Sequence, residues 1–122
     1  MKWEFNDFAP IYIQLIEQIQ LRIICGIYPI GEKIPSVRDM ASEASVNPNT
    51  MQKALSELER KGLVYTQRTA GRFITEDMDL IKNMKDGLAK EQVENFLINM
   101  KKIGFEKKES ISIIEKLSKE MK

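Results

Sequence analysis

Two short helical patterns, separated by only about three residues, are the feature that most restricts how this chain can fold. Ser36 begins the first pattern, SVRDMASEA, and Asp39 follows three residues later, in the capping-box position usually taken by Glu or Gln. Asn47 and Pro48 begin the second pattern, because asparagine is a favoured N-cap and proline fits the first helical position. The connection has the length of a helix-turn-helix, so the sequence predicts that motif here.

The second helix of the pair has one apolar and one polar face. Apolar residues recur at i, i+3, i+4 and i+7 and are expected to point inward: Met51, Ala54, Leu55 and Leu58. The outward face carries Asn49, Thr50, Gln52, Lys53 and Ser56. Its first turn contains no acid, although the helix dipole favours acids there.

An acid-free polar turn is suited to reading DNA. Amide and hydroxyl groups can read base edges in the major groove, lysine can reach a guanine or a phosphate, and the phosphates would repel acids. The alternative is that Asn47, Asn49 and Thr50 only cap the helix. We interpret Asn47 as a cap, and Asn49, Gln52 and Lys53 as candidate DNA contacts.

The neighbouring elements complete a domain. Pro10 opens a helix whose predicted core positions are Ile11, Leu15, Ile16, Ile19 and Ile23. After Gly62, the stretches LVYTQ and RFIT are typical of short strands joined by a turn at RTAG, with Arg68 and Arg72 at the tip. Three helices followed by a basic hairpin indicate a winged helix-turn-helix, which we assign to residues 1–75.

Basic side chains are concentrated in this part of the chain. The net charge is only +1, but residues 33–75 contain seven basic and four acidic side chains, whereas residues 76–122 contain ten of each. Arg38 is expected to be exposed beside the second helix of the pair. The alternatives are a surface ion pair of Arg38 with Asp39 or Glu43, and solubilising charges at Arg68 and Arg72. Four basic groups around one helix, at positions 38, 53, 68 and 72, favour DNA binding.

Composition excludes several kinds of site. The chain has no histidine and one cysteine, Cys25, which excludes an internal disulfide, a zinc site of the usual kind and a histidine-based catalytic site. No glycine-rich phosphate loop occurs. We therefore predict no catalytic residue, no metal and no cofactor, and leave a carboxylate enzyme as a disfavoured alternative. Cys25 is interpreted as a buried or half-buried structural residue.

The chain also lacks the signals of a membrane or secreted protein. No apolar run approaches the ~18 residues of a membrane helix, and the start, MKWEFNDFAP, has no signal-peptide core. A single cysteine fits a reducing compartment. These features predict a soluble, cytoplasmic protein with no membrane partner.

Residues 76–122 have a different pattern, which predicts two amphipathic helices. The apolar residues are Leu80, Ile81, Met84, Leu88, Phe96, Leu97, Met100 and Ile103 in the first, and Ile111, Ile114, Leu117 and Met121 in the second. Two helices are too small to enclose a drug-sized pocket of about 300 Å³, and whether an effector exists stays open. We interpret the segment as a dimerisation surface; the alternative is that it folds back on its own winged helix.

Six motifs run through residues 10–75. They are Pro10-Ile11-Tyr12, Gly26-x-Tyr28-x-x-Gly31, Ile34-Pro35-Ser36-x-Arg38-x-Met40-Ala41, Val46-Asn47-x-Asn49-Thr50, Ala54-x-x-x-Leu58 and Gly71-Arg72-Phe73. Together they resemble the GntR family of bacterial transcription regulators. The VNPNT form and the short C-terminal segment are most similar to the YtrA-like subfamily.

The resemblance implies a homodimeric regulator, predicted to be a repressor, whose winged helices bind a palindromic operator in double-stranded DNA. Positions that contact DNA in the family correspond to Arg38, Asn49, Thr50, Gln52 and Lys53, with phosphate contacts at Lys33 and Ser36 and wing contacts at Arg68, Thr69, Gly71 and Arg72. The subfamily further implies control of a transporter operon. The alternative function is a winged-helix protein-interaction module without DNA-binding activity.

Overall fold

The computed structural model describes residues 1–121, which contain five α-helices and a two-stranded sheet. In chain order they are α1 (Ile11–Ile24), α2 (Val37–Ala44), α3 (Pro48–Arg60), β1 (Val64–Gln67), β2 (Gly71–Ile74), α4 (Met78–Lys102) and α5 (Lys107–Glu120). The chain forms two compact units, Met1–Lys82 and the residues from Asn83 onward. This architecture confirms the predicted fold class, mainly α with a small β-hairpin. No helix within residues 1–121 is long and apolar enough to cross a membrane.

Local hydrogen bonds define both ends of the helix-turn-helix connection. Ser36 Oγ accepts a hydrogen bond from the backbone N–H of Asp39 at 3.1 Å and caps α2. α2 ends at Ala44, and its C-cap residue Ser45 has a left-handed φ of 57°. Asn47 Oδ1 then accepts from the N–H of Asn49 at 2.7 Å and caps α3. The predicted connection of three residues, 45–47, is therefore confirmed, and Asn47 is a cap as interpreted.

Replacing Asn47 by alanine removes the cap of α3. We expect the free energy of unfolding to fall by about 1 kcal/mol, because the N–H of Asn49 loses its acceptor at the helix N-terminus. Urea denaturation at one fixed protein concentration measures the change. Asn47→Ser is the matched control, because a serine hydroxyl can accept the same hydrogen bond. Equal losses for alanine and serine would show that the cap does not stabilise α3.

The core of the first unit lies against the apolar face of α3. All four residues predicted to point inward have 0% exposure: Met51, Ala54, Leu55 and Leu58. They are buried where α3 packs against α1 and α2. Full burial of a large apolar side chain contributes roughly 1.5–3 kcal/mol. Because one face of α3 is fixed in this core, its polar face is held toward solvent.

Most of the predicted α1 core is confirmed, and two predictions are wrong. The buried members are Leu15, Ile16, Ile19 and Ile23. Ile11 is 37% exposed, because it is the first residue of α1, next to the N-cap Pro10. Cys25 is exposed rather than buried, because it is the C-cap residue beyond the last turn of α1.

The residues before α1 pack along that helix. The Gln14 side chain accepts from the N–H of Asn6 at 3.0 Å and donates to the Asn6 carbonyl at 2.9 Å. Arg22 is only 2% exposed; its guanidinium carbon lies 3.5 Å from the centroid of the Trp3 ring, and Nη2 donates to the Met1 carbonyl at 3.1 Å. Hydrogen bonds and a cation–π contact thus satisfy this buried charge.

The wing contains a third backbone segment that the sequence did not predict. β1 and β2 pair as an antiparallel hairpin. Along the other edge of β2, the N–H of Ile34 donates to the Arg72 carbonyl at 3.0 Å, and the N–H of Ile74 donates to the Glu32 carbonyl at 2.9 Å. These bonds tie the wing to the residues that lead into α2.

α4 is one continuous helix in which no described residue is buried. It ends at Lys102, so Ile103, predicted as part of the helix, lies in the following turn and is 69% exposed. The first turn of α4 belongs to the first unit. There Leu80 lies beside Gly62, and both Leu80 and Ile81 are half-buried.

α5 exposes its apolar side chains. The helix begins with a capping box, in which the N–H of Glu106 donates to the Glu109 carboxylate at 3.0 Å and the Glu106 side chain accepts from the N–H of Glu109. Ile111 is 51% exposed, Ile114 42% and Leu117 48%. The second unit therefore leaves in solvent an apolar surface of the kind that usually forms a core.

Candidate nucleic-acid interface

The polar face of α3 is exposed over its first two turns. Asn49, Gln52 and Lys53 are exposed, Thr50 is half-buried, and the first turn has no acid. Gln52 Nε2 donates to Ser56 Oγ at 3.1 Å. The structure therefore brings the predicted recognition residues together on one surface, which carries donors and acceptors able to match base edges.

Lys53 contacts an aromatic ring of α1. Its Nζ lies 4.0 Å from the centroid of the Tyr12 ring, which is the geometry of a cation–π interaction. Lys53 is exposed and Tyr12 is half-buried. The contact of Tyr12 with a candidate DNA-binding residue was not predicted. The motif Pro10-Ile11-Tyr12 marks the position, but nothing in the sequence pairs it with Lys53.

Arg38 is exposed on α2 and has no ion-pair partner within residues 1–121, where the ion pairs involve other residues. Neither Asp39 nor Glu43 neutralises its guanidinium, so the alternative of a surface ion pair is contradicted. Glu43 instead accepts a hydrogen bond from the Trp3 indole at 3.1 Å. The charge of Arg38 is therefore available to a ligand.

The turn of the wing consists of residues 68–70. Arg68 and Thr69 are exposed there, and Thr69 has a left-handed φ of 68°. Arg72, predicted at the tip, lies instead in β2 and is half-buried. The reason is that the hairpin remains paired as far as Gln67 and Gly71, which leaves only three residues for the turn. Arg68 is therefore the basic residue at the tip.

Lys33 lies across Gly71 at the base of this turn. A Cβ atom on Gly71 would lie 2.8 Å from Lys33 Cε, and the φ of Gly71 is +111°. The positive φ favours glycine, whereas the exposed Lys33 side chain could shift to admit a Cβ atom. Gly71 provides room for the Lys33 side chain.

An open groove separates the wing from the N-terminus of α2. Its polar lining includes Lys33, Ser36, Asp39, Thr66 and Arg72. Arg72 Nε is buried and has no hydrogen-bond partner within the described chain. Two cationic side chains and the positive end of the α2 dipole favour an anion in this groove, whereas the Asp39 carboxylate opposes it. The groove can therefore accept a phosphate near its basic side.

The arrangement as a whole defines a class of protein. Across residues 1–121, no group of three or more Cys, Asp or Glu side chains is placed to hold a metal ion. The first unit carries the polar face of α3, the exposed Arg38 on α2 and the wing with Arg68. A helix-turn-helix followed by a wing defines the winged-helix class of DNA-binding proteins.

Comparison with known proteins gives the family. The model of "Bacterial regulatory proteins, gntR family" matches residues 11–74. The chain belongs to the GntR family of bacterial transcription regulators, as the motifs indicated.

Similarity to individual relatives extends over almost the whole chain. The uncharacterized HTH-type transcriptional regulator YhcF of Bacillus subtilis is 41% identical over 112 residues, which are 92% of this chain and 93% of that protein. The HTH-type transcriptional repressor YtrA of Bacillus subtilis is 36% identical over 115 residues, 93% of this chain and 88% of the relative. These relatives are transcription regulators rather than enzymes, and the match to YtrA confirms the YtrA-like subfamily.

Solved structures give the same assignment. A GntR family transcriptional regulator from Listeria monocytogenes superposes with a TM-score of 0.84 at 39% identity, covering 92% of this chain and 98% of that one. The AraR DNA-binding domain in complex with operator ORX1 superposes with a TM-score of 0.56 at 27% identity, covering 62% of this chain and 99% of that one.

Proposed function

We propose that this protein is a homodimeric repressor that binds a palindromic operator through α3 and the wing. The observation that carries the proposal is the exposed, acid-free polar face of α3, and it is joined by an exposed Arg38 on α2 whose charge no described residue pairs. Amide, hydroxyl and guanidinium groups of this kind fit base edges and phosphates. The complex of the AraR DNA-binding domain with its operator supports operator DNA as the partner of this protein.

The site residues divide into two roles. Those on the exposed faces of α2 and α3 read base edges in the major groove: Arg38, Asn49, Thr50, Gln52 and Lys53. Those at the groove and wing contact the phosphate backbone or the minor groove: Lys33, Ser36, Arg68, Thr69, Gly71 and Arg72. Base contacts set the sequence preference, and phosphate contacts set the register and the salt dependence of binding.

Dimerisation through the second unit is supported by the exposure of its apolar side chains. Phe96, Ile111, Ile114 and Leu117 are between 36% and 51% exposed. Burying such side chains against the same residues of a second copy is favourable by roughly 25 cal/mol per Å² of apolar area. Residues 76–122 carry equal numbers of basic and acidic side chains, so two copies do not repel each other strongly. The other proposed interface residues in the second unit are Met84, Leu88, Leu97, Met100 and Ile103, and the proposed interface extends to Leu80 and Ile81 in the first turn of α4, which belongs to the first unit.

A two-fold dimer determines the form of the operator. Its two copies of α3 are related by the same axis as the two half-sites, which must therefore be palindromic. Recognition helices that enter successive major grooves lie about 34 Å apart, so the half-site centres are about one helical turn apart.

The sign and target of regulation are proposed by analogy with similar proteins. Similarity to a transcriptional repressor, YtrA, supports repression. The YtrA-like subfamily supports a transporter operon as the target, and we place the protein in the cytoplasm, where operator DNA is accessible. No small-molecule effector enters this proposal.

Selection of bound duplexes from a random DNA pool tests the proposal. We expect enrichment of a palindrome whose affinity falls steeply with salt, because each neutralised phosphate releases counterions. No enrichment by a folded dimer would contradict the proposal and favour the alternative, a winged-helix protein-interaction module. Gln52→Ala is the discriminating variant, because it lowers operator affinity only if α3 reads DNA.

Alanine at Arg68 tests the role of the wing. We expect weaker binding to all DNA sequences and a salt slope reduced by about 1, because one phosphate contact is lost without loss of a base contact. Affinity for the selected operator and for an unrelated duplex, each measured at several salt concentrations, provides the comparison. A loss confined to the operator would contradict a backbone role for Arg68.

A further inference from the structure

We propose that Tyr12 is a positioning residue that holds Lys53 ready for contact with the operator. The inference rests on the proposed function, because it concerns how one side chain of the recognition face is presented to DNA. It adds to the interface a residue that lies on α1, outside the helix-turn-helix.

The contact has the geometry that this role requires. Lys53 Nζ lies 4.0 Å from the centroid of the Tyr12 ring, so the ammonium faces the electron-rich ring. Tyr12 is half-buried on α1, which packs directly against α3. The ring is therefore anchored to the fold, while the lysine chain is exposed. No carboxylate of the described chain pairs with Lys53, so the ring acts without a competing ion pair.

Restriction of Lys53 matters because a free lysine side chain samples many rotamers. Holding it in one contact with a guanine or a phosphate loses that freedom, which weakens binding. Because the Tyr12 ring already confines the Lys53 side chain in the free protein, less conformational entropy is lost when the protein binds DNA. Tyr12 also keeps the ammonium at the α1 side of the recognition face, and so limits which part of the half-site Lys53 can reach.

A double-mutant cycle on the operator tests the inference. We expect Tyr12→Leu to weaken operator binding by about two- to fivefold, the size of an exposed cation–π contact. Tyr12→Phe is the matched control and should bind like the wild type, because it keeps the ring. In a Lys53→Met background, Tyr12→Leu should cause no further loss, because the ring then has no ammonium to hold.

A second measurement needs no DNA. In the free protein, the ring current of Tyr12 should shift the Lys53 ε-methylene protons upfield in the NMR spectrum. We expect this shift to persist in Tyr12→Phe and to disappear in Tyr12→Leu. A Lys53 shift that is the same in all three proteins would overturn the inference.

The outcomes separate this inference from the function on which it rests. Operator binding by the wild type together with an equal loss on Tyr12→Leu in both backgrounds would overturn the inference alone, because Tyr12 would then act without Lys53. Tighter binding by Tyr12→Leu would also overturn it, because the ring would then withhold Lys53 from DNA. Failure of the wild type to bind any duplex would overturn both.

Discussion

Alanine at Arg38 is expected to weaken operator binding by about 1–3 kcal/mol, which corresponds to as much as a hundredfold in Kd. The guanidinium is exposed on α2 and has no ion-pair partner within residues 1–121. Its removal therefore breaks no internal ion pair and, in the proposed complex, leaves a base without its partner. Fluorescence anisotropy with the selected operator, and with duplexes altered at single base pairs, measures both affinity and lost discrimination.

Arg60→Ala is the matched control for Arg38→Ala, because it removes the same charge from the far end of α3. Arg60 Nη2 lies 2.5 Å from Glu57 Oε1, and this hydrogen bond lowers the pKa of Glu57 and raises the pKa of Arg60. Arg60 is exposed and Glu57 is half-buried at the surface, so this i,i+3 pair contributes little to stability. We expect near-normal operator binding by Arg60→Ala. Equal losses for the two variants would indicate a general charge effect and contradict a base contact by Arg38.

Aspartate at Ile114 is expected to dissociate the proposed dimer and to lower operator affinity by about a hundredfold or more. Each dimer would have to bury two unpaired carboxylates in an apolar interface, which is strongly unfavourable. A monomer also loses the advantage of two linked recognition helices, which is worth about 10²–10⁴ in affinity. Sedimentation equilibrium measures the oligomeric state, and anisotropy measures operator binding. Leu117→Asp, one turn further along α5, should behave in the same way.

Ser112→Asp adds the same charge to the opposite side of α5 and is the control. We expect it to remain dimeric and to bind the operator normally. Ile114 is already 42% exposed in the single chain, so circular dichroism should show that Ile114→Asp keeps its helices. A folded, dimeric Ile114→Asp would contradict the proposed interface.

Features that depend on neighbouring residues were predictable from the sequence. Ser36 and Asn47 cap the helices that they were predicted to cap, because an N-cap needs only its own side chain and an N–H two or three residues away. The buried face of α3 was predictable for a similar reason. Apolar residues at i, i+3, i+4 and i+7 lie on one face of a helix, and that face must pack against the core.

Features that depend on distant residues were not predictable. Arg72 was predicted at the tip but lies in β2, because the register of the hairpin, rather than its composition, decides where the turn begins. The pairing of residues 31–34 with β2 and the contact of Lys53 with Tyr12 arise only when separate elements meet in three dimensions. Arg22 resembles an ordinary surface arginine in the sequence, but it is buried, and its guanidinium contacts Trp3 and the Met1 carbonyl.

The central claim is that one dimer places two recognition helices on two half-sites on the same face of DNA. Its most direct test compares the selected operator with a duplex that has about 5 base pairs inserted at its centre, which turns one half-site by roughly half a helical turn. We expect the inserted duplex to bind no more tightly than a single half-site. Equal affinity for the two duplexes would contradict the claim.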